Sequence, residues 1–168
     1  QPAWIDPPIA NVADGPSGFV ANPGSGMPAR WNGRFFLCDF RGSASGSGVM
    51  ALQLERAGAG HRLVGTERVI WNVLATDCDF GPAGGLYVLD WVEGWGKTGR
   101  GRIYRVSDGR SADDALVQEV KTLLRDGMTG RAIDELARLL GHRDRRVRQA
   151  AEFELVDRGA DGVAALER

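Results

Sequence analysis

Near residue 110 the sequence changes its hydrophobic period, and no one regular architecture accommodates both halves. Upstream, short apolar runs are separated by glycine and proline clusters, the signature of an antiparallel meander. Downstream, apolar residues return every three to four positions, as on one face of a helix. The 24 glycines of the 168 residues crowd into positions 15 to 109 and thin out beyond. The chain is therefore expected to hold two regions, strands over 1–109 and helices over 110–168.

In the first region strands are expected at 34–40, 48–56, 62–70, 76–80, 85–91 and 102–107. Gly46-Ser47-Gly48, Ala57-Gly58-Ala59-Gly60 and Pro82-Ala83-Gly84 supply turns in which positive φ is needed. An internal repeat organises these strands. Gly15-Pro16-Ser17-Gly18 returns as Gly81-Pro82-Ala83-Gly84, and Phe36-Leu37-Cys38-Asp39-Phe40 returns in character as Tyr87-Val88-Leu89-Asp90-Trp91. Four strands of this length make one β-propeller blade, so about two blades are expected. The second has no room for its outer strand before the pattern turns helical. A ring closed by a strand from elsewhere would hide that edge.

The helical region begins with Leu116, Val117, Val120, Leu123 and Leu124 on one face. Ser111 is the expected cap, with Asp114 three positions on. Thr129 is expected to open a helix through Ile133, Leu136, Ala137 and Leu140 that ends at a left-handed Gly141. Asp144 caps the next, which carries Val147, Ala150, Ala151 and Leu155 to a stop at Gly159, and Asp161 begins another. Short amphipathic helices with tight links predict a stacked solenoid. The arginines at 143, 145, 146 and 148 lie close to Asp144, Glu152 and Glu154 and read as a solvated face, with a grip on an acidic partner as the alternative.

With 43% hydrophobic residues the chain can bury a core. A formal charge of -1, from 21 basic and 22 acidic residues, offers no field to gather nucleic acid or anionic lipid. No apolar run approaches the roughly 18 residues of a membrane span, and no signal peptide is visible. A start at Gln1 and a stop at Arg168 within an expected helix suggest a fragment of a larger protein. Cys38 and Cys78 match neither a zinc-binding nor a haem-attachment spacing. They are expected as two buried thiols, with a disulfide as the alternative.

The stretches Leu74–Pro82 and Gly85–Arg105, with Asp90-Trp91-Val92-Glu93-Gly94-Trp95 at their heart, resemble the membrane-bound dehydrogenases of planctomycete and verrucomicrobial type. Gly15–Gly18 and Phe35–Gly42 resemble the preceding blade of that family, and Leu139–Arg148 resembles its HEAT-like repeats. The resemblance implies a quinoprotein glucose/sorbosone dehydrogenase-like propeller followed by a HEAT-like array. It implies a periplasmic or otherwise extracytoplasmic location, and a haem-binding cytochrome c segment outside this chain. Pyrroloquinoline quinone and calcium are then expected in the parent protein, with a sugar or alcohol as substrate.

In a meander the second-to-third strand loop shares a face with the connection into the next sheet. Residues 41–47, 71–76 and 92–100 are therefore the candidate rim. In it or directly beside it, Arg41, Thr76, Asp77, Trp91, Trp95, Lys97 and Arg100 are the candidate cofactor-binding residues. Indole faces suit sugar rings or a planar quinone, and Lys97 or Arg100 can pair with carboxylates. Asp77 is the candidate calcium ligand, its simpler role being to cap a turn. For Trp91, Trp95 and the basic residues the simpler reading is a wedge between blades with solvated charges. Asp39 and Asp90 end equivalent strands, which argues for a repeated hydrogen bond to a turn. No catalytic residue is expected here, because His61 lies on the opposite face and His142 falls among the helices. Two functions follow: a part of a quinoprotein-like dehydrogenase, inactive alone, or a noncatalytic scaffold that binds proteins or glycans.

Overall fold

In a computed structural model, residues 8–96, 99–109 and 114–167 are described. Two antiparallel sheets, of four and three strands, precede four α-helices. Strands β1 (Pro16–Ala21), β2 (Arg34–Asp39), β3 (Gly48–Ala57) and β4 (Gly60–Trp71) pair in sequence order. Strands β5 (Ala75–Phe80), β6 (Leu86–Asp90) and β7 (Arg102–Val106) do the same in the second sheet. The helices are α1 (Ala115–Asp126), α2 (Ile133–Leu139), α3 (Arg145–Asp157) and α4 (Ala160–Leu166). The second sheet thus has three strands among the described residues, as its sequence suggested.

Residue type explains the depth of each strand. The aromatic and branched residues of β2 and the first half of β3 are buried, with Phe36, Cys38, Val49 and Ala51 all at 0% exposure, and they fit a pleated surface well. Strand β4 is the edge, and it carries His61, Arg62, Glu67 and Arg68, charges that discourage pairing with another chain. Strand β6 alternates strictly: Leu86, Val88 and Asp90 point inward, while Tyr87 and Leu89 point out.

Strand β1 was not expected. Gly15-Pro16-Ser17-Gly18 repeats the composition of Gly81–Gly84, but in the fold it enters a strand. Pro16 is the first strand residue, where its missing N–H is tolerated. Gly18 is there for close approach: a Cβ on it would lie 2.6 Å from Asp77 Cα and 2.7 Å from Cys78 N in β5. By contrast, Gly84, at φ +76, makes a real turn, closed by Gly81 N–H donating to Gly85 C=O at 2.9 Å. The two motifs share composition and not position.

The other half of the repeat is structural. Phe40, after β2, donates its N–H to the Gly15 carbonyl at 2.7 Å, and Trp91, after β6, donates to the Leu74 carbonyl at 3.0 Å. Gly15 and Leu74 each stand immediately before the first strand of their sheet.

By its contacts the chain divides into two units. The first holds the chain as far as Asn22, together with Gly33–Asp79 and Leu86–Val106. The second holds the helices, with Pro23–Asn32 and Phe80–Gly85. In the second unit Val120, Met128, Leu136, Val147, Ala151, Leu155 and Ala165 form the buried cluster, flanked by Leu116, Leu123, Leu124 and Ile133, which matches the helical face read from the sequence. Ser111 lies outside the described residues, and Asp114 caps α1 by accepting the Leu116 N–H. Helix α2 starts at Ile133 and not at Thr129, because Gly130 at φ +82 interrupts the helix and the Thr129 hydroxyl bonds Glu154. Gly141 is not left-handed; the helix ends on right-handed Leu140 with tight turns onto Arg138 and Leu139. Asp144 and Gly159 take the capping and stop positions expected of them.

The two loop segments are fastened to α3 by a buried network. Asp144, at 0% exposure, accepts from Ser25 Oγ, from the Arg146 N–H and from the Arg146 guanidinium. Arg146 Nη1 also donates to the carbonyls of Phe80 at 3.2 Å and Gly81 at 2.7 Å. Gly26 and Gly84 meet backbone to backbone, leaving no space for a Cβ on either. Burial alone would push the Asp144 carboxyl up, but Arg146 and Ser25 together outweigh it and hold that group below the ordinary carboxylate range.

Candidate functional site

Three segments of the first unit converge where the sequence places a rim: the β2–β3 loop, the β4–β5 link and the β6–β7 loop. A Cβ on Gly94 would lie 3.2 Å from Leu74 Cδ1 and 3.6 Å from the Gly42 carbonyl, so one residue touches both neighbouring segments. Gly42, at φ +79, brings its backbone up to the Trp95 indole nitrogen.

Aromatic rings fill this junction. Phe40 stacks on Trp91 with centroids 5.8 Å apart, and Trp95 stands edge-on to Trp91 at 4.9 Å and to Phe40 at 6.4 Å. Trp95 is 69% exposed. The cluster therefore has an anchored base and a free indole, an arrangement suited to a flat or ring-shaped ligand. Phe40 was not among the candidates, although its place after Asp39, matching Trp91 after Asp90, was a signal for it.

The carboxylates of Asp39 and Asp90 hold the junction from below. Asp39 Oδ1 accepts from the N–H groups of Asp14 (3.2 Å) and Gly15 (3.1 Å). Asp90 Oδ1 accepts from Leu74 (3.2 Å) and Val92 (2.9 Å). Both bond the backbone leading into a first strand, the repeated structural role that their recurrence predicted. Val92 and Asn72, at φ +57 and +62, sit in the left-handed region without being glycine. For β-branched Val92 this is strained backbone.

The two described basic candidates have carboxylates beside them. Arg41 bonds Asp39 through Nε at 2.7 Å and Asp14 through Nη1 at 2.8 Å, and the Asp39 hydrogen bond raises its pKa further. Arg100, 74% exposed, lies 3.6 Å from Glu93. Lys97 lies outside the described residues.

Thr76 and Asp77 do not join the aromatic junction. The Thr76 hydroxyl donates to the Leu89 carbonyl, and Asp77 Oδ1 accepts the N–H of Cys78 at 2.8 Å. Asp77 is exposed and lines, with Asp79, Tyr87 and Leu89, a separate cavity of about 140 Å³. Calcium takes six to eight oxygen ligands. Among the described residues no group of three His, Cys, Asp or Glu is placed to hold a metal ion, so these residues alone do not fit calcium. Arg41 is held by Asp39 and Asp14, whereas the exposed Arg100 guanidinium stands beside Glu93.

Neither histidine is among the residues that form the junction. His61 pairs with Arg56 beside the β3–β4 hairpin turn, and His142 Nδ1 accepts the Asp144 N–H among the helices. No described helix is long and apolar enough to cross a membrane.

No protein-family model matches the sequence, and no curated protein does. Among solved structures, a glucose dehydrogenase is similar at 23% identity, with a TM-score of 0.46. That match covers 62% of this chain and 29% of the other, so the chain spans less than a third of that protein's length.

Proposed function

We propose that the chain is part of a β-propeller, followed by HEAT-like repeats, from an extracytoplasmic quinoprotein-like dehydrogenase, and that its three converging loops form an aromatic lip for a sugar or alcohol substrate. The observation that carries this reading is the Phe40–Trp91–Trp95 cluster, built where separate loops meet and ending in an exposed indole. The sequence resemblance over Leu74–Arg105 supports the same assignment.

Exposed apolar side chains and an apolar groove on the described elements support a larger assembly. Phe19, Leu37, Leu52 and Leu63 of the first sheet, with Ile9 and Val12 of the preceding segment, line a groove of about 220 Å³. Ile103 on β7 is 68% exposed. Such faces suit packing by further sheets, as in a ring of blades. Phe153, Val156 and Val163 are likewise exposed on α3 and α4, as expected of a solenoid unit awaiting the next repeat.

In this reading the chain binds and positions but does no chemistry. Removal of the substrate proton, and the binding of quinone and calcium, fall to other parts of the parent protein. A cytochrome c segment outside this chain would receive the electrons. The test is to supply the intact parent protein with pyrroloquinoline quinone and calcium and to follow dye reduction with a panel of sugars and alcohols. Turnover with at least one of them, slowed by Trp95→Ala chiefly through a raised KM, is the expected outcome.

A second reading is favoured by the engagement of Arg41 with Asp39 and Asp14: a noncatalytic scaffold whose lip binds a glycan or a protein. It predicts no dye reduction under any of these conditions, together with glycan or protein capture that Trp95→Ala abolishes. If Trp95→Ala alters neither turnover nor capture, the lip has no part in recognition and both readings of it fail.

A further inference from the structure

The chain has asparagines at 11, 22, 32 and 72, and only Asn32 is followed by glycine. Asn32 and Gly33 make the turn between the short helix Ala29–Trp31 and β2, and both are exposed. The Asn32 N–H is anchored on the Ala29 carbonyl at 3.0 Å. Beyond that anchor, among the described residues, nothing accepts the Gly33 N–H, nothing donates to the Asn32 carbonyl, and the Asn32 side chain has no partner. Gly33 stands at φ +71 with no atom within 4 Å of where a Cβ would lie. The peptide plane joining the two residues can therefore turn without breaking a hydrogen bond, a freedom that paired backbone lacks.

We propose that Asn32 is a self-modification site, where the side chain loses its amide to attack by the Gly33 nitrogen and is converted into aspartate and isoaspartate. The inference is independent of the dehydrogenase reading. Each of the other asparagines lacks one requirement. Asn22, at 9% exposure, precedes Pro23, which has no N–H to ionise. Val73 is buried and commits its N–H to the Ser47 carbonyl at 3.4 Å, so no nitrogen is free beside Asn72. Asn11 is exposed but precedes Val12, whose branched side chain crowds the attacking atom. Gly33 has no side chain to do so.

Asn32 stands at ψ 137, so ring closure needs rotation about its Cα–C bond, which the unbonded peptide plane permits. Hydroxide removes the Gly33 amide proton, and the nitrogen attacks Asn32 Cγ. The N–Cγ bond forms, the bond from Cγ to the side-chain nitrogen breaks, and that nitrogen takes a proton from water and leaves as ammonia, restoring the hydroxide. Water then opens the cyclic imide. Cleavage of the new bond gives aspartate, whereas cleavage at the backbone carbonyl leaves the chain running through the side chain as isoaspartate. Nothing is oxidised or reduced: one water enters, one ammonia leaves, and one negative charge is gained.

The test incubates the whole folded chain at mildly alkaline pH, with a parallel sample in urea, and maps the peptides by mass spectrometry after digestion in acid. Expected is loss of the Asn32 amide in the folded chain at a rate close to that in urea and rising in proportion to hydroxide, while Asn11, Asn22 and Asn72 are retained. The product should contain isoaspartate, labelled by a methyltransferase specific for it, and one heavy oxygen when the water is enriched in that isotope. Asn32→Gln should abolish the product over the same period, because its longer side chain must close a larger ring. Gly33→Ala should slow the reaction about tenfold, through the higher barrier at a crowded nitrogen. Retention of Asn32 in the folded wild-type chain would overturn the proposal, whatever happens in urea. So would equal loss at Asn11 or Asn72, or aspartate without isoaspartate, the mark of direct hydrolysis. The wild-type map decides the matter even if a variant fails to fold.

Discussion

The Asp90 carboxylate takes the Leu74 N–H on Oδ1 at 3.2 Å, and thereby ties the end of β6 to the backbone that leads into β5. The same oxygen holds Val92 in its left-handed conformation. One buried side chain thus fixes two of the three segments that form the aromatic lip, and Asp39 does the corresponding work in the first sheet.

Replacing Asp90 by Ala leaves two N–H groups without their acceptor. Each unsatisfied buried group costs about 1–3 kcal/mol, and a loss of about 2–4 kcal/mol is expected. Urea unfolding followed by tryptophan fluorescence measures it. A change below about 0.5 kcal/mol would show that water replaces the carboxylate without penalty.

Val92→Gly is expected to act in the opposite direction. Glycine adopts φ +57 without the strain that a β-branched residue bears there, and relief of about 1 kcal/mol should outweigh the added freedom of the unfolded chain. The same unfolding experiment reads it, and a lower midpoint would contradict the strain argument.

Two glycines separate steric from conformational cost. Gly33 has φ +71 with open space around it, so Gly33→Ala should cost about 1 kcal/mol. Gly18→Ala meets backbone and the Asp77 carboxylate, and overpacking of this kind costs about 1–3 kcal/mol or more. The order Gly18 above Gly33 in thermal melts is the prediction.

The Asp144 network sets a pH dependence with a definite sign. Its folded pKa is lowered from 3.8, so its stabilisation is complete well above that unfolded value. That stabilisation is lost as pH falls from there through the folded pKa. Asp144→Asn should cost about 3 kcal/mol at neutral pH, where it leaves Arg146 without its buried carboxylate. The gap between variant and wild type should shrink on acidification below about pH 4. Helical circular dichroism against urea, at several pH values, checks both statements.

Much of this structure was legible in advance because periodic burial writes itself into sequence. The change of period near residue 110 separates strands from helices, since a pleat and a helix expose different spacings to a core. The recurrence of Asp39 and Asp90 identified a repeated hydrogen bond, because two equal chain reversals make the same demand on a short carboxylate. The loops that meet at Trp91 and Trp95 followed from strand direction alone.

Other features depend on neighbours that sequence order does not bring together. Arg41 and Arg100 read as free cations, but whether a guanidinium is available depends on which carboxylate folds beside it, here Asp39 with Asp14, and Glu93. Gly18 reads only as one member of a repeated Gly-Pro motif, yet its missing Cβ serves a strand from a different sheet. Residues 23–32 and 80–85 carry no helical signal and still join the helical unit, through Ser25, Asp144 and Arg146. Local period and turn chemistry are properties of a few adjacent residues, and the sequence alone determined them. Close approach and ion pairing depend on distances between remote segments, so only the tertiary structure decided those.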